Sequence, residues 1–384
     1  MKEVVIYVHS TSLWSYFVEP LYNFISKEFN ITILNLDKKT KCKSNYNKSY
    51  NIIDISDYSI KQIQKFLTNI NPIAVILLNY ISIYELLIQR IAKNLGIKTI
   101  YLEHGIFSKT KITSQFKKMF ISFKFVAQKN IFFLGKYVSF IYNNKYKFKE
   151  FAILINCVLK KNYIQTPFDK AIFFSEYGYI ITNPFFLYNP EDVVFCGYPF
   201  TLTNSEYQEY LELRENKEEI QDNKAIYIHQ PFILDNLVSC GYEQEKELIL
   251  SFAEKVNKKG FSFEILLHPR ESLERYKKLF AENKITIKQN INGKEFANYS
   301  LVIGHYSTAL FYPVFFNIPI SIEDYFKNEF SKNSVFATLN YNKFSNRNDL
   351  LEHYNDFRNK TIGVNNCSFE NIAKILSDIL NSLK

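Results

Sequence analysis

Cysteine is scarce and unpatterned in this chain. The five cysteines, Cys42, Cys157, Cys196, Cys240 and Cys367, are odd in number and form no Cys-x-x-Cys pair. That argues against a disulfide scaffold and a structural zinc site, and it suits a reducing compartment. Long apolar runs are missing too. No stretch approaches the roughly 18–20 residues a bilayer-spanning helix needs. The opening MKEVVIYVHSTS has too short an apolar run for a signal peptide and reads as a first strand. The expected compartment is the cytoplasm. Histidine is rare as well. The chain has six, and no two stand in His-x-His or His-x-x-x-His spacing, so no metal is expected.

Acidic residues are missing locally. From Lys109 to Tyr163 there are 12 lysines and a single acid, Glu150, interleaved with aromatics as in SQFKKMFISFKFVAQKNIFFLGKYVSF. Lysines that pair with phosphates and aromatics that dip below them suit peripheral contact with an anionic membrane, here the inner face of the cytoplasmic membrane. The stretch carries no recognisable nucleic-acid motif, and no nucleic-acid partner is expected. A lysine-rich solvated face on core helices is the plainer alternative.

What is present is apolar material in short, regularly spaced runs. The 384 residues are 47% hydrophobic and 17% aromatic, enough for two ordinary domains. EVVIYVHS, NITILNLD, PIAVILLNY and IKTIYLEHG read as strands, separated by SYFVEPLYNFISKEF, YSIKQIQKFLTNI and YELLIQRIAKNLG, whose apolar spacing is helical. AIFFSEYGYIIT and EDVVFCGYP read as closing strands. The polar stretch 201–223 reads as a linker helix, and the alternation restarts with KAIYIHQPF, FSFEILLHP, ITIKQN, LVIGHYS and IPISI. The pattern predicts an α/β protein with two doubly wound Rossmann-type domains facing a cleft: residues 1–200 with an insertion at 109–163, then 224–365, then a closing helix at 366–384.

In such sheets ligands gather at the carboxyl ends of the strands. Five of the six histidines fall there: His9, His104, His229, His268 and His305. His268 is followed by Pro269 and Arg270, a candidate anion site. In LVIGHYSTAL, Gly304 permits close backbone approach. Ser307 and Thr308 stand where a helix should begin, offering hydroxyls beside unpaired N–H groups. An ordinary N-cap is the alternative there. In YLEHG, Glu103 could take a proton from an acceptor hydroxyl, and Gly105 leaves room for that acceptor.

Read in order, LEHG, LLHPRE and GHYSTAL resemble the motifs of bacterial GT-B sialyltransferases and polysialyltransferases: an acid-acid-Gly motif in the first domain, then His-Pro and Ser-Ser or Ser-Thr motifs in the second. IHQPF resembles the Gln-Pro element of lipooligosaccharide sialyltransferases. The resemblance implies a GT-B-like inverting transferase that moves sialic acid from a CMP-activated donor to a glycan or lipid-linked acceptor of lipooligosaccharide or capsule, with no further cofactor. Glu103 would be the base, and His268, with Pro269 fixing its backbone, would help CMP depart. Ser307 and Thr308 would hold the phosphate. Gln230, Glu323, Arg270 and His305 would contact the nucleotide or the sugar. Residues 1–200 would be the acceptor side and 224–365 the nucleotide-sugar side.

The motif departs from that family at His104, which replaces the second acid. EHG and the His-Pro ending are also similar to the CDP-glycerol and CDP-ribitol phosphotransferases, which would make His104 and His268 the catalytic pair. Kdo transferases of capsule synthesis are a third possibility. A non-catalytic membrane-bound component of polysaccharide assembly stands outside the enzyme class altogether.

Overall fold

A computed structural model gives the fold. It describes residues 1–8, 13–35, 50–55, 58–78, 83–105, 168–180, 188–216, 223–234, 238, 240–323, 335–363 and 367–383. The described residues up to 204, together with 367–383, form one compact unit, and those from 205 to 363 form a second. His9 and the basic stretch 109–163 lie outside the described residues. Among the described residues no helix is long and apolar enough to cross a membrane.

The first unit is built on seven parallel strands: β1 (Glu3–Val8), β2 (Asn30–Asn35), β3 (Asn51–Asp54), β4 (Ala74–Leu77), β5 (Lys98–Leu102), β6 (Lys170–Phe173) and β7 (Val193–Phe195), in the order β3-β2-β1-β4-β5-β6-β7. Among its helices are α1 (Glu19–Ile25), α2 (Ile60–Ile70) and α3 (Ile83–Asn94). The central strands are buried on both faces, so β1 and β4 read as continuous Val/Ile/Leu-rich runs rather than alternating ones. α2 starts where it does because Ser59 accepts the Gln62 N–H at 3.2 Å while the Gln62 side chain accepts the Ser59 N–H at 2.8 Å, a reciprocal cap.

Two local expectations change. Residues 51–54, NIID, form an edge strand that their polar ends concealed. SEYGYI is not the continuation of a strand: β6 stops at Phe173, and residues 176–180 make a helical turn. The cause lies across the sheet in Glu103, whose carboxylate accepts the Phe174 N–H at 2.6 Å and ends the ladder there.

The second unit has five parallel strands: β8 (Lys224–Ile228), β9 (Ser262–Leu266), β10 (Thr286–Lys288), β11 (Leu301–Gly304) and β12 (Ile320–Ile322), in the order β10-β9-β8-β11-β12. It begins with α4 (Asn204–Glu215), and α5 (Tyr242–Asn257), α6 (Leu273–Leu279), α7 (Phe311–Phe315) and α8 (Arg347–Phe357) follow. Its main core joins Tyr227, Ile249, Phe252, Ile265, Tyr276 and Ile303.

The final helix, α9 (Phe369–Ser382), belongs to the first unit. Ile372, Leu376 and Leu380 enter the core that also holds Val4, Ile6, Leu21 and Ile76. The return is zipped by backbone bonds from the Phe200 N–H to the Cys367 carbonyl (2.8 Å) and from the Phe369 N–H to the Thr201 carbonyl (3.0 Å). Ser368 accepts the Asn371 N–H at 3.1 Å and donates to Asn204 at 2.7 Å, capping α9 while fixing the start of α4. Leu376→Ala is therefore expected to behave as a core truncation, costing about 2–5 kcal/mol. Urea unfolding checks this; a loss below about 0.5 kcal/mol, typical of surface sites, would mean the tail is not core.

Candidate active site

In the second unit the chain lays down β8, β9 and β10 toward one edge, then returns to place β11 and β12 on the other side of β8. Such a reversal opens a place for ligands beyond the carboxyl ends of the two strands that flank it. Four strand ends carry the candidate residues: His229 and Gln230 after β8, His268 after β9, Gly304 and His305 at β11, and Glu323 after β12.

The His-Pro turn is held on several sides. The Glu271 N–H donates to the His268 carbonyl at 2.9 Å. Gln289, just past β10, reaches over with its side-chain amide, 3.3 Å from the His268 carbonyl, 3.4 Å from that of Pro269 and 2.7 Å from that of Glu271. Ser272 then caps α6 by accepting the Arg275 N–H at 3.3 Å. Within the turn, Nδ1 of His268 accepts the Arg270 N–H at 3.2 Å. A neutral imidazole that accepts at Nδ1 carries its proton on Nε2, so His268 is set as a donor at that atom. The side chain is half-buried, while Pro269 and Arg270 are exposed.

The neighbouring candidates are more structural than their sequence context suggests. His305 is 1% exposed. Its Nδ1–H donates to the Glu323 carbonyl at 2.7 Å, and its Nε2 accepts the Tyr227 hydroxyl at 3.0 Å. The ring therefore ties β8, β11 and β12 together. Gly304 is glycine for packing: a Cβ there would lie 3.0 Å from a Leu310 methyl. Ser307 accepts the Ala309 N–H at 3.2 Å and opens a single 3-10 turn, Thr308–Leu310, ahead of the five-residue α7. That is an ordinary cap, with the Thr308 side chain exposed beside it. The Glu323 carboxylate accepts the Ser321 hydroxyl at 2.8 Å, and Gln230 is buried at the reversal point.

In the first unit, Glu103, His104 and Gly105 follow β5. Glu103 is 1% exposed, and burial pushes its carboxyl up to about 8, against the opposing pull of the Phe174 N–H. Gly178 lies directly on it: a Cβ there would be 2.3 Å from Oε1. His104 is half-buried and more available. Its Nδ1 hydrogen-bonds the Leu78 carbonyl at the end of β4. A carbonyl can only accept, so Nδ1 bears the proton, and in a neutral ring Nε2 then carries the lone pair. Gly105 has open space around its Cα. The structure thus places Glu103 as a clamp between β5 and β6, and His104 with its Nδ1 turned to the backbone. His104 and His268 are held in opposite tautomers by their backbone contacts. Among the described residues, no group of three or more His, Cys, Asp or Glu could hold a metal ion.

Gln289 and Glu271 escaped sequence reasoning. Gln289 acts on a turn about twenty residues earlier and carries no local signal. Glu271 follows His-Pro-Arg in sequence and is 6% exposed.

No family model matches the chain, and no curated protein matches it in sequence. Solved structures do match. The calicheamicin glycosyltransferase CalG4 aligns over 99% of both chains with a TM-score of 0.57 at 10% identity. A histidine-to-alanine variant of the wall teichoic acid polymerase TagF aligns over 99% of this chain and 89% of its own, with a TM-score of 0.51 at 12% identity. The UDP-GlcNAc 2-epimerase from Methanocaldococcus jannaschii aligns over 98% and 100%, with a TM-score of 0.49 at 14% identity. The chain has a GT-B-like fold. At these identities the two likenesses above 0.5 establish the architecture of two Rossmann-like units and nothing finer.

The Glu103 carboxyl makes stability pH-dependent with a definite sign. Unfolded, it loses its proton near its ordinary 4.5; folded, it holds the proton up to about 8. Its contribution is full below the unfolded value and is lost as pH rises through the folded one. Glu103→Gln should flatten the decline in unfolding midpoint between about pH 5 and about pH 8. Thermal melts across that range check it, and an unchanged slope would mean the carboxyl is not the group responsible.

Proposed function

We propose that this protein is a transferase that uses a cytidine-nucleotide donor, with the nucleotide held at the strand ends of the second unit and the acceptor hydroxyl activated by His104 of the first. The observation that carries this reading is the pair of opposed tautomers. His104 presents a lone pair at Nε2, suited to taking a proton from an acceptor hydroxyl. His268 presents an N–H at Nε2, suited to a phosphate oxygen that gains charge as its bond breaks. Arg270, in the same turn, adds positive charge for that phosphate.

This favours polyol-phosphate transfer from a CDP-polyol. The acceptor oxygen gives its proton to His104 and forms a bond to the β-phosphorus. The bond from that phosphorus to the bridging oxygen breaks, and CMP departs with the electron pair, its new charge met by His268. The wall teichoic acid polymerase TagF shares the fold, which is compatible with this assignment.

A second reading, sialyl transfer from CMP-sialic acid with Glu103 as base, is favoured by the raised carboxyl of Glu103, which falls in the range a general base uses. It requires that carboxyl to emerge from a 1% exposed position. Membrane contact through 109–163 stays a proposal resting on composition alone.

CMP release by the purified chain, offered CDP-glycerol, CMP-sialic acid and CMP-Kdo separately, tests the assignment. With the true donor, His268→Asn and His104→Asn are each expected to lower turnover by about 100-fold or more, with the fold intact by circular dichroism. Release from CMP-sialic acid alone, lost in Glu103→Gln and retained in His104→Asn, would overturn the histidine-pair reading in favour of the second.

A further inference from the structure

The parallel ladder between β9 and β10 runs up to the residue before the His-Pro turn, where the Leu267 N–H donates to the Lys288 carbonyl at 2.7 Å. The carbonyls of His268, Pro269 and Glu271 lie past that bond. Gln289, the residue after Lys288, turns its side-chain amide onto all three. The contact with the Glu271 carbonyl, at 2.7 Å, is the tight one. Those with His268 and Pro269, at 3.3 and 3.4 Å, share the remaining donor. A primary amide carries two N–H groups, and carbonyl oxygens can only accept, so the partners themselves decide that the nitrogen faces the turn.

Gln289 reaches from a firm base. Lys288, which ends β10, lies 2.8 Å from the Glu264 carboxylate and donates to the Tyr299 hydroxyl at 3.0 Å. Glu264 is on β9, so this ion pair reinforces the strand pairing from which Gln289 projects. What the amide holds is the backbone that carries His268. The His268 carbonyl receives the Glu271 N–H at 2.9 Å and the Gln289 amide at 3.3 Å, while Nδ1 of its ring accepts the Arg270 N–H at 3.2 Å. Carbonyl and ring are thereby tied within one turn. The direction in which His268 carries Nε2 follows from where that turn is held.

We propose that Gln289 is the positioning residue for His268. By donating to the carbonyls of the His-Pro turn it fixes the turn against the end of β10, and its effect on transfer passes through His268. The inference rests on the reading that His268 serves the departing nucleotide, but the hold on the turn is measurable without any donor.

The full-length chain is compared with Gln289→Met, which keeps the length and loses the donor, and with Gln289→Glu, which keeps the shape and sets a carboxylate against the carbonyls. Gln289→Met is also made on His268→Asn and measured against His268→Asn alone. Amide hydrogen exchange is followed in the peptide covering 264–273, with residues 369–382 as an internal reference. Both single variants should speed exchange at Arg270 and Glu271 about tenfold or more with the reference unchanged. With whichever donor the unmodified chain turns over, each should lower kcat about 10-fold or more while KM stays within about threefold, as expected of a displaced catalytic group. On the His268→Asn background, Gln289→Met should lower kcat by less than about twofold, because its route to the reaction is already cut. Unchanged exchange in Gln289→Met, even beside faster exchange in Gln289→Glu, would overturn the proposal, since the donor would not be what holds the turn. An equal loss of kcat with and without His268 would overturn it too. If no cytidine donor is consumed at all, the role of His268 in transfer fails, and the exchange result alone decides the hold of Gln289 on the turn.

Discussion

At the carboxyl end of a parallel strand the hydrogen-bond ladder runs out, and the backbone groups left there must find side-chain partners or stay unpaired in the interior. Much of what distinguishes this protein follows from how that constraint is met. Glu103 takes the Phe174 N–H at the end of β6, and His104 donates to the Leu78 carbonyl at the end of β4. His305 donates to the Glu323 carbonyl after β12, and Gln289 serves the carbonyls of the His-Pro turn. The polar residues that gather at the strand ends are there first because the ladder stops.

Satisfying the backbone also settles chemistry. A carbonyl can only accept and an amide N–H can only donate, so each such bond decides which ring nitrogen of a histidine keeps its proton. His104 and His268 come out opposite, His305 comes out fully committed, and no charged neighbour is needed to produce any of the three states. Residues that look equivalent as letters are sorted in this way into one with its proton on Nδ1, one that accepts at Nδ1 and one tied on both sides. Desolvation does the same sorting between adjacent residues. Glu103 is enclosed and holds its proton to about 8, while His104, one residue on, is only half-buried.

The second constraint is covering the first sheet. α9, the last helix in the chain, supplies Ile372, Leu376 and Leu380 to a core otherwise built from residues before 200. The unit is therefore complete only when the chain's end has returned, and the Ser368 cap, which also bonds Asn204, links that return to the start of α4.

The sequence by itself determined the alternation of strands and helices, the α/β class and the concentration of histidines at strand ends. Short apolar runs bounded by turn signals encode buried parallel strands locally, and the amphipathic spacing of 369–382 encodes its helix. The edge strand at 51–54 was too short and too polar to show. The helical turn at 176–180 read as strand because Glu103, which ends β6, is some seventy residues away in the chain. Only the tertiary structure decided that Glu103 is enclosed, that His305 is a tie, that Gly304 is a packing glycine and that Glu271 points inward. Each of these depends on which atoms from distant segments arrive at a strand end, and burial and hydrogen-bond direction are properties of that arrival, not of any local run of residues.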